Sequence, residues 1–483
     1  MAVNRGELLE LCRTNPEAVV DIIEKQDRLI TQLTERIVQL EARIAELEAR
    51  LNRTSRNSSQ PPSMDGFRRV KSPRKKGERP PGGQTGHKGQ TLEMVDNPDE
   101  IELHPVQVCH GCGASLVAEN PVKIERRQVH DAEFKIRVTE HRAEHKRCPH
   151  CGRVNRGEFP SEVQFPVQYG QNLKALMVYL CVYQLIPYDR IRETFSDIFG
   201  RSLSTGTLVN AVQESHRNLA GVEERIRELL TGSDVIHVDE TGMRVTGIRQ
   251  WLHVASTDFL TWYGHHRKRG KRATDDMQIL PRFKGTMVHD FWAPYFRYPS
   301  RHAICNAHLL RELNGISENY QHAWSEELHT LLLEIKREVD AARAHSCSLI
   351  PSKIADFETR YFRILESGLN EIPPPDIPES REKRGRKKQS KAKNLIDRCM
   401  NFSHEILAFM HNFSIPFTNN LAERDIRMAK LQQKISGTFR SEEGAAAFCR
   451  IRGYLSTVKK NERPVLDSLV GVLQGTPFIP LHA

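Results

Sequence analysis

Three acidic residues sit where a folded chain could gather them. Asp239 lies in Asp234-Val-Ile-His-Val-Asp239-Glu-Thr-Gly, a β-branched run that predicts a strand ending in carboxylates. Asp290 closes a second short strand, Gly285-Thr-Met-Val-His-Asp290, and Glu423 falls in TNNLAERDIRMAKLQQK, which opens a helix near Asn420. Two Asp at strand ends and one Glu on a later helix can converge into an oxygen-only cage suited to Mg²⁺ or Mn²⁺. Two such ions roughly 3.5–4 Å apart can activate a water or a 3′-hydroxyl and stabilise the leaving oxygen in phosphodiester displacement. Each residue also has a plainer reading. Asp239 and Asp290 fit ordinary strand-end turns, and Glu423 fits the Glu of a capping box begun by Asn420. Asp234 and Glu240 rival Asp239, although strand alternation points Glu240 to the other face. Beyond Glu423, Arg427, Lys430 and Lys434 follow at spacings of 4, 3 and 4 and share its helix face. One acid beneath three bases suits a metal site beside a DNA backbone. Arg424, Arg427, Lys430 and Lys434 are therefore candidates for DNA contacts, against the alternative of a solvated helix face.

A second chemistry belongs to cysteine. Cys109-His-Gly-Cys112 and Cys148-Pro-His-Cys151 are two CxxC knuckles, each followed by a glycine. Two thiolates three apart on a tight turn grip one side of a tetrahedral Zn²⁺, and a second such turn completes Cys₄. A redox pair is the alternative for a cytosolic CxxC. Two pairs with Gly after the second Cys favour a structural Zn²⁺ held by Cys109, Cys112, Cys148 and Cys151, with His110 and His150 as bystanders. The six other cysteines are expected to be small buried hydrophobes.

The net charge of +10 is unevenly placed. Asn52 to Leu92 holds ten Lys/Arg against two acids, and Arg381 to Lys393 holds eight against one. These stretches carry the whole positive excess, which favours a polyanion, nucleic acid in the simplest case. Solvated linkers that only keep the protein soluble are the alternative. The first stretch, with Arg74, Lys75 and Lys76 as its densest run, is full of turn formers and predicts a disordered arm. Such an arm can lie along phosphates without choosing a sequence.

Elements must position these groups. Ile30, Leu33, Ile37, Leu40, Ile44, Leu47 and Leu51 alternate in spacings of 3 and 4, the heptad seam of a coiled coil. Ile at a and Leu at d favour a parallel dimer. Arg36 and Arg43 at g then meet Glu41 and Glu48 at e of a second copy. A single amphipathic helix packed on its own domain is the alternative. Gly170 to Leu230 predicts helices, with Ser204-Thr-Gly-Thr as a cap; a helix-turn-helix and a plain scaffold both fit. QWLHVAST from Gln250 and FLTWYGHH from Phe259 complete an antiparallel meander with the Asp239 strand. His302-Ala-Ile-Cys-Asn-Ala-His308 is expected as a strand leading into the helix LLREL.

At roughly 150 residues per domain, 483 residues allow about three units. The longest apolar run, Ala175 to Tyr183, is nine residues against the roughly 18 of a membrane helix. MAVNRGELLELC carries no apolar signal core. No membrane segment and a cytoplasmic location are expected.

The blocks VDETGMRV, HDFWAPYF and NNLAERDIRMAKLQQKISGTFRSEEGA resemble the DDE transposases of the insertion-sequence 66 family. So does the order of SSQPPSMD, GGQTGHKGQTL, the CxxC pairs, YGQNLKALMVYL and KRGRKKQSKAKNL, so that the resemblance covers nearly the whole chain. It implies a multidomain α+β protein whose RNase H-like α/β core carries Asp239, Asp290 and Glu423 as metal-binding catalytic residues. It also implies cleavage at transposon ends followed by 3′-hydroxyl attack on target DNA. The expected organisation is a coiled-coil dimerisation helix over 1–52, a basic disordered arm over 53–98 and a zinc-ribbon-like module over 99–165. A helical DNA-binding or scaffold segment over 166–230 follows, then the core in two parts, 231–318 and 413–483. A helical insertion with a basic loop, 319–412, separates those parts and accounts for the 133 positions from Asp290 to Glu423. The expected partners are double-stranded DNA, a second or further copies of the chain, and companion proteins of the same element. A non-catalytic dimeric zinc DNA-binding protein derived from a transposase is the alternative. His308 resembles a recurrent family position, near the site or merely structural. Phe291 and Trp292 depart from the smaller or turn-forming residues expected after the Asp.

Overall fold

The structure, a computed structural model of the chain, describes residues 5–58, 65, 92–372 and 389–482. Arg74, Lys75, Lys76 and most of the basic run beginning at Arg381 lie outside the described residues. The chain divides into two compact units, one made of Ser72–Gln164 with Phe195–Arg201 and the other of the remainder.

In the larger unit, α1 (Arg5–Thr14) precedes α2 (Pro16–Leu51). Asn15 caps α2 by accepting from the Ala18 N–H at 3.2 Å, and Pro16 stands at the first helical position, where no N–H is needed. The helix has 36 residues, about 54 Å at 1.5 Å per residue. Along its seam Ile30, Leu33, Ile37, Leu40 and Ile44 remain between 52% and 60% exposed, so the described residues leave the apolar stripe uncovered.

The smaller unit contains, among its described residues, the hairpin β1 (His145–Arg147) and β2 (Val154–Arg156), paired antiparallel around the turn that holds Cys148 and Cys151.

In the larger unit α3 (Gln171–Val178) runs into a π-helical turn over Tyr179–Tyr183. It is followed by α4 (Tyr188–Phe199), whose residues from Phe195 on count with the smaller unit, and then by α5 (Thr205–Asn218) and α6 (Ala220–Thr231). Ser204 caps α5, its hydroxyl accepting from the Thr207 N–H at 3.0 Å. A five-stranded mixed sheet forms the centre: β3 (Val235–Val245), β4 (Ile248–Ser256), β5 (Thr261–His266), β6 (Thr286–His289) and β7 (Arg301–Ile304), in the order β5-β4-β3-β6-β7. The first three make an antiparallel meander, while β6 and β7 run parallel to β3. The turn between β3 and β4 has positive φ at both Thr246 (50°) and Gly247 (78°), matching the strand twist of a tight hairpin. The short α7 (Lys271–Asp276) lies between β5 and β6.

Two boundaries depart from expectation. β3 does not end in its carboxylates but runs on through Asp239 and Glu240, paired with β4 as far as Val245. The strand before LLREL stops at Ile304, and α8 (Asn306–Tyr320) already contains His308. Asn-Ala-His has no β-branched residue to favour a pleat. Asn306 is drawn out of the sheet as its N–H donates to Phe417 O and its side-chain amide to Ile406 O, both at 3.0 Å. His308 therefore sits on the first turn of a helix.

Helices α9 (Ala323–Ala342), α10 (Pro351–Glu371), α11 (Lys391–Asn401) and α12 (Ser403–His411) share one apolar cluster with α8, built on Trp324, Leu328, Tyr361, Leu395 and Phe409. The chain then returns to the sheet as α13 (Asn420–Ser436), α14 (Glu442–Lys460) and α15 (Val465–Leu473), with α13 against β3 and α14 against β5. A buried knot of Asp425, Lys460 and Thr261 ties α13 and α14 to the sheet, with Asp425 Oδ2 2.9 Å from Lys460 Nζ and 3.1 Å from Thr261 Oγ1. None of the described helices is long and apolar enough to cross a membrane.

Candidate active site

The sheet brings the two aspartates together by register. Parallel pairing of β3 with β6 matches Val235 with Thr286, Ile236 with Met287 and His237 with Val288. Two residues further along each strand stand Asp239 and Asp290, at the point where the ladder ends. Asp239 is pushed well above the ordinary carboxylate range by burial, then by the charges of Asp290 and Glu240, with a smaller push from Glu423. The Glu240 N–H, donating to Asp239 Oδ1 at 2.8 Å, opposes this only in part. Asp290 Oδ1 accepts from the Trp292 N–H at 3.2 Å. Four acids thus share one partly buried place.

Glu423 reaches it from the first turns of α13. The capping-box alternative does not hold, because Asn419 rather than Asn420 is the N-cap and makes no side-chain cap. The buried Asn419 is instead a tie between elements. Its amide donates to Val238 O at 2.8 Å, its side-chain oxygen meets His237 Nδ1 at 2.9 Å, and its backbone N–H donates to Cys305 Sγ at 3.1 Å. These bonds pin the start of α13 to β3 and to the start of α8. From α8, His308 Nε2 comes within 3.2 Å of Glu423 Oε1, near enough for an ion pair but not directed as a hydrogen bond. Burial alone would raise the Glu423 carboxyl. The contact with His308 and the charges of His308, Arg311 and Arg427 outweigh it and hold the group below its ordinary value. Cys305, His308 and Glu423 have donor atoms within 4.8 Å of one another, the one such trio among the described residues. Asp239 feels the charges of both Asp290 and Glu423, but the three carboxylates do not form such a trio.

The rivals of Asp239 are accounted for. Asp234 is exposed and lies just before β3 begins, away from the acids. Glu240 is buried with both oxygens engaged: Tyr295 donates to Oε2 at 2.6 Å, and the Arg269 guanidinium donates twice to Oε1, at 2.6 and 3.1 Å. It is a strut under the site rather than an open ligand. Phe291 performs the turn that its bulk argued against. It takes φ 76°, a strained value that costs roughly 1–3 kcal/mol, and its ring packs edge-on against Phe402 at 5.2 Å.

The helix cations Arg424, Arg427, Lys430 and Lys434 are all exposed. Lys430 has its ammonium tied to β3, donating to Gly242 O at 2.9 Å. Burial and the charge of Arg249 hold it below the usual lysine value, against the pull of Asp239.

Each cysteine knuckle is formed on its own. Cys109 and Gly113 close a turn with Gly113 at φ 75°, and Cys148 and Gly152 close another with Gly152 at φ 70°. Backbone N–H groups of Gly111 and Cys112 hold the Cys109 thiol below its usual value, as those of Cys151 and His150 do for Cys148. The structure does not gather the four sulfurs into one group within 4.8 Å.

Asn419, Tyr295 and Arg269 are functional neighbours that sequence reasoning missed. The only local trace is the Asn pair in TNNLAERD, since their roles rest on partners far away in the chain.

The sequence model of the family described as Transposase IS66 family matches residues 166–447, spanning every element of this site. A second match, over residues 13–93, is to a family of unknown function. No curated protein matches the chain.

Proposed function

Because the chain belongs to the IS66 transposase family, we propose that it cleaves transposon ends and joins them to target DNA by in-line phosphodiester displacement at Asp239, Asp290 and Glu423. The observation that carries this reading is the pairing of β3 with β6, which sets Asp239 beside Asp290 while the charge of Glu423 reaches Asp239 from α13. A sheet of three antiparallel strands and two parallel ones, interrupted before α13 by helices over 319–412, supports an RNase H-like core with an insertion.

The donor set fits Mg²⁺ or Mn²⁺, because it is oxygen-only, partly buried and in electrostatic conflict with itself. Asp239, Asp290 and Glu423 would hold the metal through carboxylate oxygens alone. Divalent metal held there would supply activation of the attacking water or 3′-hydroxyl and charge stabilisation of the leaving oxygen. The chain's own residues do the positioning. His308 and Asn419 orient Glu423, and the Tyr295–Glu240–Arg269 strut fixes the floor beneath Asp239 and Asp290. Arg424, Arg427 and Lys434 offer charge to DNA phosphates, with Lys430 bridging the helix to β3. The exposed seam of α2 pairs two copies, and the cysteine knuckles hold Zn²⁺. The non-catalytic alternative has no use for a strained turn and four clustered acids.

Nicking of supercoiled DNA in Mn²⁺ tests this reading. Asp239→Asn, Asp290→Asn and Glu423→Gln should each lower the rate at least about 100-fold, since each removes a metal ligand. Nicking that survives all three substitutions would overturn it.

A further inference from the structure

Beside the carboxylates, two tryptophans and two arginines form an alternating stack. Arg249 Cζ lies 4.6 Å from the ring centre of Trp251 on β4. Arg269 Cζ lies 4.8 Å from Trp251 and 4.7 Å from Trp292, which follows Asp290 by two residues. The order is therefore Arg249, Trp251, Arg269, Trp292, and it leads to the catalytic acids. Its parts are held. The Arg269 guanidinium is anchored by its bonds to Glu240, and Trp292 packs edge-on against Tyr295 with ring centres 5.0 Å apart. Both arginines are exposed and both tryptophans partly so. Among the described residues no carboxylate pairs with Arg249.

Core packing does not call for two indoles here. The other two tryptophans, Trp262 and Trp324, are buried in the usual way, at 6% and 0% exposure. Flat aromatic and guanidinium faces have one common ligand chemistry beside a phosphodiester site, the π-face of a nucleobase. A base stacked within a duplex hides that face, so only a base taken out of the stack could use it.

We propose that Trp292, backed in the stack by Arg269, Trp251 and Arg249, forms a shelf that receives an unpaired base of the DNA strand next to the scissile phosphate. Arg249 contacts the adjoining phosphate. The shelf recognises a flat base rather than a sequence, and stacking on it draws the strand end away from its complement and toward Asp239 and Asp290. This site rests on the transposase reading for its substrate, but it binds DNA by contacts that the carboxylates do not make.

Intrinsic fluorescence of the full chain tests it, because Trp251 and Trp292 are partly exposed whereas Trp262 and Trp324 are buried. Single-stranded oligo(dT) should quench emission on binding, whereas an abasic phosphodiester strand of equal length should bind without that quenching. Trp292→Leu should weaken oligo(dT) binding about tenfold, the usual loss for one stacked base, and Trp292→Phe should largely restore it. Equal quenching by the abasic strand, or unchanged affinity in both Trp292→Leu and Trp251→Leu, would overturn the shelf. The wild-type comparison of the two strands decides the matter even if a variant does not fold. Asp290→Asn, assayed in parallel, separates the two readings. Quenching with persistent nicking would sink the carboxylate assignment and leave the shelf standing. Lost nicking without base-specific quenching would do the reverse.

Discussion

His253 shows how much this sheet pays in acid sensitivity for its buried polar residues. It stands on β4 opposite Glu240 and is only 4% exposed. Burial, then the nearby charges of His266 and Arg269, push its pKa down to about 4. The unfolded chain would bind that proton near pH 6.5, so between about 6.5 and 4 the unfolded state holds more protons than the folded one. Stability contributed by neutral His253 is therefore intact above pH 6.5 and is lost as pH falls toward 4. The loss amounts to roughly 2 kcal/mol by pH 5. His253→Leu removes the titration while keeping an apolar side chain of similar size. Urea unfolding at pH 7 and pH 5 should show a smaller drop for the variant than for the wild type, by about that amount. Buried His237 and His289 titrate in the same direction in both proteins, so the difference isolates His253. An identical drop in the two proteins would mean that His253 is already protonated or solvated.

At the scale of elements, the two knuckles are matched halves that only a shared ion would join. Each presents two cysteines on a turn closed by a left-handed glycine, with backbone N–H groups directed at the first sulfur. The flanking strands β1 and β2 are three residues each, and all six residues are exposed. So small a hairpin has little apolar surface to hold it, and a structural metal would supply the missing stability. The purified protein should carry about one zinc per chain, and Cys148→Ser should lose it together with amide protection across β1 and β2. A zinc-free protein with a protected hairpin would remove the zinc assignment. The meander strands and the cap at Ser204 were legible because each depends on residues close together in sequence. The end of β7, the tie made by Asn419 and the strut beneath Asp239 were not. Asn419 bonds Val238, 181 positions away, and Tyr295 bonds Glu240, 55 positions away. No local pattern encodes such a contact. Phe291 shows the same limit, since its left-handed φ is held by aromatic neighbours from Phe296 to Phe402.

On the scale of the whole molecule, the exposed seam of α2 is joined to α8, the helix that carries His308. Just after α2, Asn57 donates to Glu318 on α8 at 3.0 Å, and Arg56 pairs with the same carboxylate at 3.4 Å. Gly315 makes this approach possible, because a Cβ there would fall 2.2 Å from Asn57 O. The first turn of that same α8 carries His308 against Glu423. A second copy paired along Ile30, Leu33, Ile37, Leu40 and Ile44 would thus fix two catalytic sites through two α8 helices, as joining a pair of DNA ends requires. Ile37→Asp with Ile44→Asp puts uncompensated charge at two a positions of each helix, which should weaken association by at least about 1000-fold. Sedimentation should give a dimer or larger for the wild type and a monomer for the variant. Nicking of a single DNA end should stay within about threefold, because no residue of the carboxylate site is touched, while joining of paired ends should fall by more than about tenfold. A wild-type monomer at micromolar concentration, or an unaltered dimer in the variant, would show that the seam is covered by something other than a second copy of the chain.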